Sequence, residues 1–516
     1  MKRFNGIALS VAFCSLASQA ALAQTKIDTL KVQHLNEVIV KGVRAAKEAP
    51  YAVANIRKSE LKQFSCTGQE LPFLLSRTPG ILAWSENGIG TGTTYMRIRG
   101  AAGSRINVTL DGVALNSPED QTVFWANMNS YSSLLGSIQV QRGVGSSTNG
   151  DGAFGGSISM ATAAPSLTPT AEVTGSFGSY NTYHTGASFS TGLLGKHLIF
   201  DGAYHETATD GYVDGTAGRS GSYYGGLTWL GDNFKVSYKN IGNFEKTGQA
   251  WNGVLGGDYN SNFTLLQDGI RTYKDMYKAG LDKFNVLTGD MVRNDKGDYT
   301  ITPYTLRDGS KWDKTTDNFY QNHNILSATW TPGSHWSHSL SLHYTYGYGY
   351  YKEFKNNAKF AKFGLVYKDA EGKKVKKSDF IRKKGLTQHT YGMVYNTNYK
   401  DEHWDVIGGL NLQQFRGNHW GYLTYIANQD AEKKFFGSNG KYKYYDSDAH
   451  KYDYSAFIKA SYRFADYWNA FADLQYRRVE YKTDGINDKF IAQADKTYKN
   501  QELNINEKYN FFNPKA

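Results

Sequence analysis

Cysteine is nearly absent from this chain. Its two cysteines are Cys14 and Cys66. Cys14 lies in the apolar N-terminal stretch, where Phe13 stands at the position that a lipidation signal gives to a small residue. With Cys14 removed in a leader, no internal disulfide and no cysteine metal site can form. Long apolar runs are missing as well. After residue 23 nothing approaches the roughly 20 residues that a membrane-spanning helix requires, and mean hydropathy is -0.55. A helical membrane protein is excluded, whereas β-barrel strands escape such a test. No catalytic or metal-binding constellation assembles either. His335-Trp336-Ser337-His338 has no carboxylate or cysteine nearby in sequence and reads as an interfacial turn. The glycine-rich run Gly143–Gly156 lacks the GK[ST] ending of a phosphate loop. The Asp-Gly pairs at Asp210 and Asp268 match no EF-hand spacing. The expectation is no metal, no cofactor and no enzymatic activity.

Glycine and aromatic residues are abundant: 54 Gly, 38 Tyr, 27 Phe and 10 Trp among 516 residues. The formal charge of +11 could suggest nucleic acid, but much of it lies in Lys352–Lys384, where twelve basic residues face four acidic ones. That concentration reads as one basic loop, either a solvated face or an attractor for anions such as lipopolysaccharide phosphate, and no nucleic-acid partner is expected. At the N-terminus, Lys2-Arg3, the apolar Gly6–Ala17 and Ala21-Leu22-Ala23 compose a cleavable export signal, residues 1–23.

From about residue 171 the chain becomes a train of alternating runs. In Ser339–Tyr350, Leu340, Leu342, Tyr344, Tyr346, Tyr348 and Tyr350 share one face, while Ser339, Ser341, His343 and Thr345 share the other. Phe234–Lys239, Tyr454–Tyr462 and Asn469–Arg477 alternate similarly. Short turns near residues 193–196, 230–233, 332–335, 400–403 and 465–468 alternate with long polar connections, as in a membrane barrel with apolar residues outward. The pattern predicts ten strands before Lys482 and the start of an eleventh at Tyr509.

The organising stretch is Thr94–Thr162. Met96–Arg99 runs into Gly100, Asn107–Leu110 into Asp111-Gly112, and Ser137–Arg142 into Gly143. A glycine-dense loop ending in Gly155-Gly156 then leads to Ser157–Ala161. Such glycines, here Gly100, Gly112, Gly143, Gly155 and Gly156, mark tight turns or close backbone approach. The order of IRG, LDG and IQVQRGVGS…GAFGGSI, with LPFLLSRTPGI upstream at Leu71–Ile81, closely resembles the plug domain of TonB-dependent outer-membrane receptors.

That resemblance implies a mainly β fold: a small α+β plug, residues 44–162, inside a transmembrane antiparallel β-barrel that begins after a linker at 163–170 and runs through 171–516. It implies a barrel of about twenty-two strands, so ten or eleven strands make an incomplete wall. Two open edges in lipid would cost tens of kcal/mol, at roughly several per unpaired group, and the chain is expected to be a fragment of a longer receptor. Residues 24–43 would hold the TonB box, with Leu35, Glu37, Val38, Ile39 and Val40 adding a strand to TonB. Plug arginines at Arg97, Arg99 and Arg142 would pair with barrel carboxylates and lock the plug. Plug loops carrying Trp84, Glu119, Asp120, Gln121, Phe124 and Trp125 would touch substrate, although Phe124 and Trp125 could equally pack the plug core. The implied function is active import of an iron chelate, haem or cobalamin across a Gram-negative outer membrane. Its partners would be TonB with its inner-membrane energising complex, that small-molecule or metal-chelate ligand, and outer-membrane lipid and lipopolysaccharide. A passive porin or adhesin barrel would need neither box nor plug, and a hydrolase barrel would need a nucleophile–histidine arrangement.

Overall fold

A computed structural model describes residues 38, 40, 42–45, 52–144, 154–251, 253, 265, 268–465, 468–494 and 497–516. The export signal and most of the predicted TonB box, including Leu35, Glu37 and Ile39, fall outside the described residues.

The first unit is built on a five-stranded sheet. Its strands are β1 (Ala52–Arg57), β4 (Ile106–Leu110), β5 (Val113–Ala114), β6 (Leu135–Arg142) and β7 (Gly156–Thr162), in the order β1-β6-β7-β4-β5. Only β4 and β7 run parallel. A separate hairpin pairs β2 (Ile81–Ser85) with β3 (Thr94–Ile98). The helix Lys58–Ser65 covers the sheet, with the Glu60 side chain accepting from the Arg57 amide at 2.9 Å. The next helix spans Leu71–Leu75. Gly68 takes a left-handed φ of 70°, and the Glu70 amide donates to Gly90 O rather than entering a helix. Leu61, Phe64, Leu75, Ile98, Tyr131, Val140 and Met160 are buried in one core. Burying each such side chain contributes about 1.5–3 kcal/mol, so this unit owns a core independent of any membrane.

The second unit is a twelve-stranded antiparallel sheet. It runs through β8 (Thr170–Phe177), β9 (Tyr183–Ser190), β10 (Leu198–Thr209), β11 (Gly218–Leu230) and β12 (Phe234–Gly248). After a small hairpin, β13 (Gly289–Arg293) with β14 (Tyr299–Pro303), come β15 (Thr316–Trp330) and β16 (Trp336–Lys359). A second small pair, β17 (Tyr367–Lys368) with β18 (Lys374–Val375), precedes β19 (Lys377–Lys400), β20 (Trp404–Ile426), β21 (Tyr442–Ala465), β22 (Trp468–Ala492) and β23 (Tyr498–Lys515). β8 and β23 stand at its two ends, and among the described residues no ladder joins them.

The alternation has the expected sense. One row of cross-strand partners, Leu326, Leu342, Met393, Leu412 and Tyr454, crosses five strands on the outer face. The inner face buries Ser327, His343, Asn396, Asn411, Ser455, Lys459 and Asp473. At the short-turn end an aromatic row forms, with Trp336 against Tyr399 at 5.1 Å and Trp404 against Tyr462 at 4.5 Å. Among the described residues no helix is long and apolar enough to cross a membrane.

Two expectations are corrected. Eleven strands were expected, the last starting at Tyr509, and the sheet has twelve, the last starting at Tyr498, with Thr170–Ser190 folded into two. Tyr180 and Asn181 adopt φ of 58° and 52° and close a tight hairpin on the side of the long loops, so short and long connections do not alternate without exception. The basic segment Lys352–Lys384 is not a loop throughout: the β16–β19 ladder continues to Lys359 and Lys377. Its tip buries Phe360, Phe363 and Phe380 against Leu423, Ile426 and Phe436 in a second apolar cluster, which gives this extramembrane end a packed structure rather than a solvated one.

Candidate functional site

The plug meets the inner face of the sheet along polar contacts, and between them lies a chamber of about 840 Å³. Its plug side is built by the β2–β3 hairpin and by the segment after β5. The register sets Trp84 opposite Tyr95, and their rings stack at 5.4 Å. The Arg97 guanidinium lies 5.9 Å from the centre of the Trp84 ring. Asp120, Phe124 and Trp125 also line the chamber. Phe124 is 54% exposed while Trp125 is 5% exposed and packs in the plug core, so the two readings of this pair divide between the two residues.

Glu119 fastens the same segment to the wall. Its Oε2 lies 2.7 Å from His419 Nε2 on β20, and Tyr481 on β22 donates its hydroxyl to Oε1 at 2.8 Å. Beside it, Lys451 on β21 donates to Pro118 O at 2.7 Å. Burial works against the Glu119 charge, but the hydrogen bonds and charge of His419 and the Tyr481 hydroxyl outweigh it, and the carboxyl is held below its usual range. Asp120 moves the other way, raised by the loss of water around it and by the neighbouring Glu119 charge. Gln121 does not line the chamber. It takes a left-handed φ of 58°, its amide nitrogen donates to Pro118 O at 2.8 Å, and its carbonyl accepts from Asn116 at 2.9 Å, so it shapes the loop.

Among the described residues none of Arg97, Arg99 and Arg142 makes an ion pair with a barrel carboxylate. Arg97 faces the chamber, Arg142 donates to Pro79 O at 2.9 Å, and the Arg99 amide donates to Gly80 O at 2.7 Å. Both latter residues gather at the Pro79-Gly80 turn of the plug. A buried ion pair between plug and wall stands at the LDG turn. Asp111 receives Lys239 Nζ of β12 at 2.6 Å, with both side chains buried. The same carboxylate accepts from the Thr162 amide at 3.0 Å and from its hydroxyl at 2.9 Å. Lys239 and Thr162 hydroxyl complete the triangle at 2.5 Å. These contacts hold Asp111 below its usual range against the cost of burial. Asn129 to Ser220 at 2.7 Å and Tyr131 to Asn243 at 3.2 Å add further plug–wall bonds.

A signal for this pair existed in the sequence. Lys239, Lys451 and Lys459 sit on the polar parity of alternating strands, so each ammonium points inward and needs an acceptor. Lys459 finds Gly42 O at 2.9 Å. Near it, Val38 and Val40 are buried in helical conformation, with the amides of Val43 and Arg44 donating to Val40 O. The extended backbone expected of this segment is therefore absent at these two residues. Among the structural glycines, a Cβ on Gly155 would come within 2.5 Å of Ala101 Cβ and 2.9 Å of Arg105 O, which is the close approach expected there.

A compact sheet domain seated on the polar face of a lipid-facing β-sheet defines the plugged receptors of the Gram-negative outer membrane. Residues 45–157 match the TonB-dependent Receptor Plug Domain. Solved structures agree in fold. The ferric-catecholate import receptor Fiu of E. coli K12 matches with a TM-score of 0.63 at 11% identity, over 91% of this chain and 63% of that one. The ferric citrate transporter FecA matches at 0.60 and 14%, over 95% and 62%. The ferric yersiniabactin uptake receptor FyuA of Yersinia pestis matches at 0.60 and 12%, over 91% and 62%. The chain thus spans 62–63% of the length of these receptors. No curated protein sequence matches it.

Proposed function

We propose that this receptor imports a scarce solute, an iron chelate, haem or cobalamin, across the outer membrane at the expense of energy delivered by TonB. The observation that carries the reading is the chamber of about 840 Å³ between plug and wall, floored by a plug that is held through Asp111–Lys239 and Glu119–His419. A volume of that size suits a small-molecule ligand, and a floor held by a few polar contacts can be released by a pull from the periplasm. The neighbours named for ferric catecholate, ferric citrate and ferric yersiniabactin support an iron chelate first.

In this reading residues 35–42 are the TonB-binding segment. Because Val38 and Val40 are tucked against the structure in a helical turn, the segment is captured only after it leaves that position and extends as an added strand. The test is growth of a gene-deletion strain on defined iron, haem or cobalamin sources, complemented by the full-length gene or its Val38→Pro variant. Proline removes a ladder donor, so the variant should bind substrate at the cell surface yet fail to restore growth. Growth equal to wild type would favour a passive porin or adhesin barrel.

A further inference from the structure

One wall of the chamber has a chemical character that the rest does not share. On β12 and β15, Glu245 stands opposite Phe319, and Thr247 opposite Asp317. Glu245 and Asp317 are therefore diagonal neighbours on one face, at roughly 7–8 Å between backbones and closer at their side chains. Asp317 is also directly opposite Tyr351 of β16, and the Tyr351 ring packs edge-on against Trp251 at 5.0 Å. Phe319 lies flat over Gly349, where a Cβ would come within 2.1 Å of the ring. All five side chains line the chamber.

The two carboxylates lack what Glu353 and Asp453 have. Glu353 is paired with Arg382 at 2.8 Å and Asp453 with Arg477, whereas no ion pair to Glu245 or Asp317 forms among the described residues. Glu245 is 7% exposed and its Oε2 has no hydrogen-bond partner. The chamber's own cations pair with other carboxylates or rings: Lys384 with Asp488 at 2.6 Å, His419 with Glu119 at 2.7 Å, and Arg97 over Trp84, while Lys384 and Arg382 each also lie 5.8 Å from the centre of the Tyr351 ring. A buried carboxylate without a partner is costly, and an arriving cation removes that cost.

We propose that Glu245 and Asp317, framed by Phe319, Tyr351 and Trp251, form a subsite for an organic cation, an ammonium or guanidinium group carried by the imported molecule. The proposal rests on the import reading for its substrate. Rings on three sides favour an organic cation, whose charge is attracted by aromatic faces while its hydrocarbon part packs on them. The carboxylates supply charge-assisted hydrogen bonds.

The test compares two probes on purified full-length receptor in detergent, read by quenching of tryptophan fluorescence. One is a linear ferric trihydroxamate ending in a primary amine, an ammonium ion at pH 7. The other is the same chelate N-acetylated, equal in iron chemistry but without the charge. The amine form should bind about tenfold tighter, a difference of about 1.4 kcal/mol. The Glu245→Gln/Asp317→Asn double variant should bind both forms alike, and Tyr351→Leu should weaken the amine form severalfold. Equal binding of the two probes by wild type, or saturable binding of neither, overturns the proposal, and that comparison needs no variant to fold. The assay involves no TonB. Charge selectivity without TonB-dependent growth therefore counts against the import reading, and TonB-dependent growth without selectivity counts against the subsite.

Discussion

The plug and the wall are written in the same alternating code and bury opposite halves of it. In the plug, Ile98, Val108, Val140, Ile158 and Met160 turn inward to a dry core. In the wall, Leu342, Leu410, Ile458 and Leu474 face outward, 44–50% exposed, and the buried parity is rich in Ser, Asn, His, Lys and Asp, with Ile241, Ile325, Val394 and Phe415 among them. The difference lies in what surrounds each sheet. Lipid accepts apolar surface, so a wall in lipid gains nothing by hiding leucines and must pair its backbone by closed ladders. The plug faces water and polar wall on its outside and holds together by its own apolar contacts. The two units therefore meet largely through polar groups, with one apolar contact where Ile241, Ala203 and Tyr224 of the wall pack against the plug core, and much of their attachment is a matter of a few directed bonds.

The contrast breaks most sharply in the plug core. Phe64→Ala, at a side chain 1% exposed, should cost the plug about 3–5 kcal/mol. Ile458→Ala, at a side chain 50% exposed to lipid, should leave the barrel's heat-resistant gel mobility unchanged. A urea titration of plug unfolding in the assembled protein measures the first. A shift at Ile458 as large as that at Phe64 would mean that the outward face of the wall carries as much of the stability as the plug core.

Next in size is the Asp111–Lys239 pair. Lys239→Met leaves Asp111 buried without its cation, and breaking one side of a buried pair costs about 3 kcal/mol or more. Arg97→Met, which removes a guanidinium that stacks on Trp84 and pairs with no wall carboxylate, should change plug release in urea by less than about 0.5 kcal/mol. The reverse ranking would place the lock at the IRG arginine.

How much of this was legible in sequence follows from range. Turns and strand parity are local, and the five short turns, the outward leucines and the plug's glycine-closed strands could be read from neighbouring residues. The hairpin at Tyr180-Asn181 was not, because alternation continues through it and non-glycine residues occupy its left-handed positions. The Asp111–Lys239 pair joins residues 128 apart in sequence. Asp111 reads locally as half of a turn, and nothing near it shows that an inward lysine on a distant strand will claim its carboxylate. The same holds for Glu119, whose partners His419 and Tyr481 lie 300 and 362 residues away. The phenylalanines inside the basic segment were visible, but the charge around them suggested solvent.

The smallest effect separates two plug glutamates by pH. Glu70 is fully buried, accepts from the Thr94 hydroxyl, and burial raises its carboxyl well above the usual value of 4.5. Glu119 is lowered below that value by His419 and Tyr481, against the cost of its burial. By linkage the two act in opposite directions. For Glu70 the folded state keeps a proton that the unfolded chain has released, so its contribution is fully present below pH 4.5 and is lost as pH rises toward its folded pKa. For Glu119 the contribution is present above pH 4.5 and is lost as pH falls through its folded pKa. Glu70→Gln, which is neutral at every pH, should therefore abolish the loss of plug stability on going from pH 4.5 toward neutrality. Glu119→Gln should cost about 1 kcal/mol at pH 7 and nothing once the wild-type carboxyl is protonated. Urea titrations at pH 4, 5.5 and 7 measure both. Parallel slopes for the two variants would contradict this assignment, because a single environment cannot raise one carboxyl and lower the other. The plug would then hold both glutamates in the same state, and the polar seam at Glu119 would contribute no charge to its attachment.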